Sequence, residues 1–412
     1  MTVIAPRGRR RIAVAGGGLG GLATAIALSA IGEEVTVYEQ ARALGEIGAG
    51  IHISPQATKA LWGMGLRDVV ARTGDVMTGQ IQRNMYSGDQ LAETPLGENG
   101  HYRFGAPYYV FHRADLLEAL ASAVPGNRVK LNHRLAVVEE HPDRILLHFE
   151  NGAVEEADLL IGADGIHSRV RSHLYGEDEA RFTGQMVWRA LLDASAFPDD
   201  ILGPHGSCGW IGKGCHIMSY YLRGGSIINI TTQSDSDVWQ EEGWSIPGDP
   251  DRMRSYFPDC APQLQSLLDA VTTCSKWGLF GREPSQNWGR GRIQLIGDAA
   301  HPLLPNAGQG AAQAFEDAYV LSRWLDRHAD DPERAFSEFR RIRIPRAHAV
   351  QRQSQANSKL VHAGDWEQRQ EAFRAREAVG DTPLGLSWIY AYEPESEWEI
   401  RREYPLSFEP RS

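Results

Sequence analysis

Residues Arg11 to Gln40 read RIAVAGGGLGGLATAIALSAIGEEVTVYEQ, and the fold turns on this stretch. The apolar run Ile12-Ala13-Val14-Ala15 leads at once into Gly16, Gly18 and Gly21 in G-x-G-x-x-G spacing, then into a Leu/Ala/Ile segment of helical periodicity. That order is strand, tight turn, helix. Gly16 permits the turn, Gly18 lets the backbone approach a pyrophosphate, and Gly21 lets helix and strand pack closely. A second apolar run, Val35-Thr36-Val37-Tyr38, ends in Glu39, placed to accept bonds from ribose hydroxyls. With 43 glycines in 412 residues the bare spacing arises by chance, so the flanking strands, the helix and the terminal acid identify a dinucleotide-binding unit. The motif alone does not say which dinucleotide.

Outward from this unit, the segment from Arg42 to Ile53 is punctuated by glycines and reads as a loop beside the cofactor, carrying His52. Residues 55–66 have helical spacing, with the Ser54 hydroxyl as cap and Pro55 as first residue. The pattern loosens over 77–109 into short strands and polar turns. A helix is expected over 110–123, and strands near 129–131, 136–140, 145–149 and 154. Asp158-Leu-Leu-Ile-Gly-Ala-Asp-Gly-Ile-His-Ser-Arg-Val-Arg runs from a buried strand into a second cofactor-type turn around Asp164. From 182 to 281, aromatic and β-branched residues alternate with polar ones, the signature of a mostly antiparallel sheet. Helical spacing returns at 262–271. Gly291-Arg-Ile-Gln-Leu-Ile-Gly-Asp-Ala-Ala-His-Pro is a third strand and turn, and 310–327 is an amphipathic helix with Ala314, Ala318, Leu321 and Leu325 on one face.

The expected fold class is therefore α/β: a Rossmann-like domain with a parallel sheet, interleaved with an antiparallel substrate domain and ending in a helical segment. Residues 1–182 form the nucleotide-binding part, with 77–102 contributing to the substrate side. Residues 183–281 form the substrate sheet, 282–362 return to the first domain, and 363–412 are a tail in which Trp366, Trp388 and Trp398 anchor a final helix.

A formal net charge of -11 argues against a nucleic-acid partner, which demands clustered cations. The one basic run, residues 7–11, reads as a solvated leader. No apolar stretch approaches the ~18 residues of a membrane helix, and residues 1–10 lack a signal peptide's apolar centre, so the expectation is a cytoplasmic protein without a membrane partner. Cys208, Cys215, Cys260 and Cys274 include no C-x-x-C pair, which disfavours zinc and disulfides alike and leaves free thiols.

Three segments combine: Gly16-x-Gly18-x-x-Gly21 with Glu39; Gly162-Ala-Asp-Gly-Ile-His-Ser-Arg-Val-Arg; and Gly297-Asp-Ala-Ala-His-Pro with Pro305 and Gly308-Gln-Gly. In this order and spacing the chain resembles the single-component FAD-dependent aromatic hydroxylases, the group of para-hydroxybenzoate and salicylate hydroxylases. Glu39-Gln40, Gly48-Ala-Gly-Ile-His-Ile, His112-Arg113-x-Asp115-Leu116, His216-x-x-x-Tyr220-Tyr221 and Trp388-Ile-Tyr-Ala-Tyr are most similar to the 6-hydroxynicotinate 3-monooxygenases and salicylate hydroxylases within it. One departure stands out. The hydroxynicotinate enzymes carry a histidine after the Pro-x-x-Pro of the third segment and salicylate enzymes tend to an aromatic residue, whereas this chain has Asn306.

The resemblance implies tight, noncovalent FAD, with NADH or NADPH and O2 as co-substrates, and hydroxylation through a flavin hydroperoxide of a small aromatic or pyridine carboxylate bearing a ring hydroxyl, with or without loss of carbon dioxide. It implies flavin contacts from Gly16, Gly18, Gly21, Glu39, Gln40, Arg42, His52, Arg113, Leu135, Asp164, Asp298 and the turn Gly308-Gln309-Gly310. Of these, Glu39 would take the adenosine ribose, Arg42 and Arg113 the pyrophosphate, and Asp298 the ribityl chain. The N-terminus of the helix from Gly310 would stabilise charge on the reduced ring. Substrate contacts fall to His216, Tyr220, Pro305 and Asn306. A titratable group must take the hydroxyl proton; His52 and Tyr220 are the candidates, with His216 four residues before Tyr220 on the same strand face. Three other readings stand beside this one. A hydroxylase of a larger polycycle or quinolone would share every motif, and so would a non-catalytic flavin sensor; a nicotinamide dehydrogenase would leave the Asp164 and Asp298 turns unexplained. Both a monomer and a homodimer are compatible with the sequence.

Overall fold

The computed structural model describes residues 9–45, 50–236, 246–363 and 366–398. The loop residues Gly48 and Ala49 and the end of the tail lie outside the described residues, as does the side chain of Trp398. The strand Arg11–Ala15 sits at the centre of a six-stranded sheet, flanked by Glu34–Tyr38 and Leu159–Gly162, then by Val129–Lys130 on one side and Ile293–Leu295 and Gly289–Arg290 on the other. All neighbours pair in parallel except the last. The helix Leu19–Ala30 packs on this sheet and against the helix Gly310–Arg327. Gly16 has φ +104° and a Cβ there would strike the carbonyl of Ala163, so the turn that joins the first and second cofactor segments admits only glycine.

The second sheet has eight strands, ordered Ile246–Gly248, Cys274–Gly281, Arg181–Asp193, Ile227–Asp235, Cys215–Leu222, Ser207–Ile211, Gly79–Asn84 and Gln90–Pro95. It is antiparallel apart from the pairing of Ser207–Ile211 with Gly79–Asn84. Residues 79–95 thus lie on the substrate-side sheet although they sit early in the chain. Alternation gives the sheet two characters. One face, with Ile81, Trp188, Trp210, Ile217, Ile228 and Ile230, is apolar and covered by the helices Pro250–Ser255 and Pro262–Asp269. The opposite face turns toward the strands Asp75–Met77 and Tyr108–His112 and is mixed: Leu191, Leu222 and Trp277 alternate in register with Gln82, Asn229, Gln233 and Arg189. Buried polar side chains in the middle of a sheet are costly unless satisfied, which marks this face as more than packing.

Several expectations are corrected. Val110, Phe111 and His112 belong to a strand, Tyr108–His112, and the helix begins only at Arg113. Five consecutive buried residues rich in aromatics fit a strand held between two others better than a helix turn. Gly50–Ile53 is an edge strand paired with Tyr108–His112 rather than a loop. Ser54 occupies the cap position of the helix Pro55–Gly63, but its hydroxyl bonds Gln309 instead of the helix backbone. The helix Gly310–Arg327 has the expected bounds and buries the expected face of Ala314, Ala318, Leu321 and Leu325, together with most of its other sides. Finally, residues 332–362 form one long helix, Pro332–His362, that the sequence reading did not single out.

That long helix closes the structure through charge. Glu316 and Asp317 are fully buried on Gly310–Arg327, facing Arg343 and Arg346 on Pro332–His362. Arg343 donates to Asp317 (2.8 Å) and Glu316 (2.5 Å), and Arg346 donates to both oxygens of Glu316 (2.6 and 2.8 Å). Against the opposing effect of burial, the two guanidinium charges hold the Glu316 carboxyl below the usual range, and His301 with Arg343 does the same for Asp317. Asp317 also accepts from the Gly297 N–H (2.9 Å) and pairs with His301 (2.6 Å), so the third cofactor turn is braced from beneath.

All four cysteines are free; Cys208 and Cys215 are buried and the other two half-buried. Trp366 packs with Phe373 and Val361, and Trp388 with Leu386 and Tyr390. Among the described residues no helix is long and apolar enough to cross a membrane.

Candidate active site

The edge strand Gly50–Ile53 is pinned to the mixed sheet face by a hydrogen bond from the Gly50 N–H to Asn229 Oδ1 (2.9 Å). A Cβ at Gly50 would collide with the hydroxyl and ring of Tyr220. The same strand carries His52, whose ring meets Tyr220 edge to face at 4.3 Å and whose Nδ1 lies 3.1 Å from the Tyr108 hydroxyl. Gly308, in the left-handed region at φ +62°, comes up beneath His52. The turn is locked from the side, since Gln309 bonds Ser54 (3.1 Å) and accepts from Gln56 (2.6 Å). His52, Tyr220 and the Gly308–Gly310 turn therefore converge, from three different elements.

Electrostatics separates the candidate proton acceptors. Desolvation pushes the His52 imidazole down to about 4, so it is neutral and carries a lone pair at ordinary pH. Burial drives the Tyr220 phenol well above its usual value, opposed by the charge of Arg189. A phenol held there keeps its proton at ordinary pH and has a hydroxyl to donate. His216 stands on the same strand face two registers along, its Nδ1 2.9 Å from His362 Nε2.

The loop 302–308 covers this face. The long helix holds it, with Gln351 donating to the Pro302 carbonyl (3.1 Å) and Ser354 to that of Leu304 (2.8 Å). Leu304 packs on Val187 and Trp277 of the sheet, while Pro305 is exposed. Asn306 follows, and both its amide oxygen and its amide nitrogen are buried without a hydrogen-bond partner. An unsatisfied buried amide costs on the order of 1–3 kcal/mol per group, so it calls for a ligand. Arg189, which the sequence reading did not single out, projects from the same sheet face with its guanidinium 4.4 Å over the Trp277 ring. Its one sequence signal was a cation inside an otherwise apolar strand, Met186-Val-Trp-Arg-Ala-Leu-Leu.

Of the expected cofactor contacts, Gly18 faces open space at the helix start, and Glu39 holds the glycine turn by accepting from Gly17 N–H (2.7 Å) and Ala41 N–H (2.8 Å). Gln40 and Arg42 are exposed beside it, and Leu135 is buried at the start of the strand Leu135–Glu140. Arg113 opens a helix instead of lying in a turn, and its charge acts on Asp298. Asp298 is desolvated enough to raise its carboxyl above the usual range, partly offset by His301 and Arg113. Such a carboxyl gains from hydroxyl donors, so Asp298 fits a polyol chain. The glycine cradle at Gly18 fits a pyrophosphate. Asp164 accepts from Ser168 and from the Arg169 and Val170 N–H groups (2.7 and 3.2 Å) at the start of the helix Arg169–Tyr175.

A family model described as FAD binding domain matches residues 9–354. The chain is 37% identical over 388 residues to a 3-amino-4-hydroxybenzoate 2-monooxygenase of Streptomyces platensis, covering 93% of this chain and 96% of that one. It is also 37% identical over 361 residues to a 6-hydroxynicotinate 3-monooxygenase of Bordetella bronchiseptica, covering 86% and 93%. Among solved structures, a variant of Klebsiella pneumoniae HpxO complexed with FAD superimposes with a TM-score of 0.78 at 25% identity, covering 93% and 97%.

Proposed function

The chain belongs to the FAD binding domain family, and from that premise we propose that it hydroxylates a small aromatic or pyridine carboxylate that already bears a ring hydroxyl. It is an FAD-dependent aromatic monooxygenase that uses NAD(P)H and O2. FAD, when bound, takes electrons from the nicotinamide and activates dioxygen for insertion. Everything else falls to the protein. In this reading the glycine turn and Glu39 hold the adenosine half, Arg113 and Asp298 the flavin half, and the helix N-terminus at Gly310 stabilises negative charge on the ring.

The substrate lies between the Gly308–Gly310 turn and the mixed sheet face. Asn306 supplies both a donor and an acceptor to the ring substituents, and Tyr220 donates. Arg189 offers the substrate carboxylate a charge-assisted bond. A neutral imidazole, His52 or His216, accepts the ring-hydroxyl proton, whose removal makes the ring electron-rich. The packed loop 302–308 and the Tyr108, Tyr220 and Tyr390 rings exclude water. The observation that carries this reading is the doubly unpartnered Asn306 amide on a loop beside His52 and Tyr220. Support for a small carboxylate comes from the substrates named in the relatives.

The test is a panel of 3-amino-4-hydroxybenzoate, 6-hydroxynicotinate, 3-hydroxybenzoate and salicylate, followed by NADH and NADPH oxidation with the product weighed by mass spectrometry. Coupled turnover of one of them supports the reading. Inertness to all four, with turnover of a bulky polycycle, replaces it.

A further inference from the structure

We infer that Asp235, His362 and His216 form a proton-transfer chain that fixes His216 as acceptor for the substrate's ring hydroxyl and passes the proton to solvent. This rests on the hydroxylase reading above and goes beyond it by assigning an exit for the proton. His216 Nδ1 lies 2.9 Å from His362 Nε2, and His362 Nδ1 lies 3.1 Å from Asp235 Oδ1. The side chain of His362 is 7% exposed and that of Asp235 60%, so the three residues step from the sheet face to the surface.

Proton counting sets the tautomers. Two neutral imidazoles sharing a hydrogen bond place one N–H and one lone pair between them. With Asp235 accepting from His362 Nδ1–H, His362 presents its Nε2 lone pair, and His216 must carry its hydrogen on Nδ1. His216 Nε2 is then the lone pair left to accept the substrate's proton. One surface carboxylate thus fixes two rings in series. Transfer is balanced: the substrate O–H proton moves to His216 Nε2, the His216 Nδ1 proton to His362 Nε2, and the His362 Nδ1 proton to Asp235 and then water. One proton enters and one leaves, and the reverse movement reprotonates the product.

The surroundings favour a relay over a resting base. Desolvation and the neighbouring His362 push His216 down to about 3, so an imidazolium there is costly and the proton is best handed on as it arrives. The groups facing the chain are few. From the sheet come Gln185, whose Nε2 is 3.1 Å from both Asp235 Oδ1 and His362 Nδ1, and Gln233, which donates to Gln185 Oε1 (2.7 Å). Ser358 accepts from Gln185 on the long helix, and Arg369 on the helix Trp366–Ala378 adds a positive charge that further disfavours protonated His362. His362 and Asp235 are positioning residues, because they act through His216.

The experiment uses the FAD-loaded enzyme and whichever panel substrate it turns over. Mixing substrate with oxidised enzyme, the appearance of the phenolate spectrum is timed in stopped flow, beside kcat, KM and flavin content. His362→Phe keeps an aromatic ring and removes both nitrogens. It should slow phenolate formation and kcat by roughly 100-fold, the low end for a positioned proton acceptor, with KM and flavin content unchanged and with partial rescue by free imidazole. Asp235→Asn, a surface change that spares the fold, should slow the same step to a lesser degree. Wild-type phenolate formation in either variant, or a loss that follows KM or flavin content instead, overturns the chain. Wild-type enzyme that turns over no ring-hydroxylated carboxylate overturns the substrate reading itself, before any variant is compared.

Discussion

His52 and Tyr220 meet edge to face, ring centroids 4.3 Å apart at 83°, although they lie on different sheets. The contact exists because Gly50 has no side chain: a Cβ there would occupy the Tyr220 hydroxyl. Gly50→Ala should therefore displace the Tyr220 ring and lower kcat by roughly 10-fold or more while FAD stays bound, since one misplaced positioning group costs that much. Turnover at the wild-type rate would show that the pair does not set substrate geometry.

Asp298→Ala should weaken FAD binding. A hydroxyl-to-carboxylate bond contributes about 1.5–3 kcal/mol, so the dissociation constant should rise by roughly 10-fold or more. Circular dichroism separates loss of flavin from loss of fold. Unchanged affinity removes Asp298 from the cofactor site.

The fold and the glycine turn that marks the FAD-binding unit were legible because their signals are local. Gly16, Gly18, Gly21 and Glu39 fall within one strand–turn–helix–strand unit whose spacing is dictated by backbone geometry. The substrate half was less legible because its contacts are not local. His216 and His362 are separated by 146 positions, and Arg189 reaches Tyr220 only through the register of three strands. The long helix Pro332–His362 escaped notice for a related reason: its buried face holds Arg343 and Arg346, which read as solvent-facing until Glu316 and Asp317 are placed opposite them.

The buried charge cluster gives a stability prediction. Arg343→Met takes the guanidinium from Asp317 and leaves Glu316 with Arg346 alone, so unfolding free energy in urea should fall by about 3–5 kcal/mol. Replacing both sides, Arg343→Met with Asp317→Asn, should recover part of that loss. A single variant as stable as wild type would mean the cluster is not holding the two helices together.

The lowered histidines predict acid sensitivity. His52 is held at about 4 in the fold against an ordinary value of 6.5, so the unfolded chain binds the proton first. The stability this neutral ring contributes is present above pH 6.5 and is lost as pH falls toward 4, up to about 3 kcal/mol. The melting temperature of the enzyme should fall across that window, and more shallowly in His52→Gln. Superimposable profiles would assign the loss to other groups.

The central claim, oxygen insertion into a ring-hydroxylated carboxylate, is tested most directly by turnover under ¹⁸O₂ with NAD(P)H and the best panel substrate. The account predicts a product that carries one atom of ¹⁸O, formed in step with nicotinamide oxidised and with little hydrogen peroxide. Nicotinamide oxidation that yields only peroxide, or a product whose new oxygen comes from water, would contradict it.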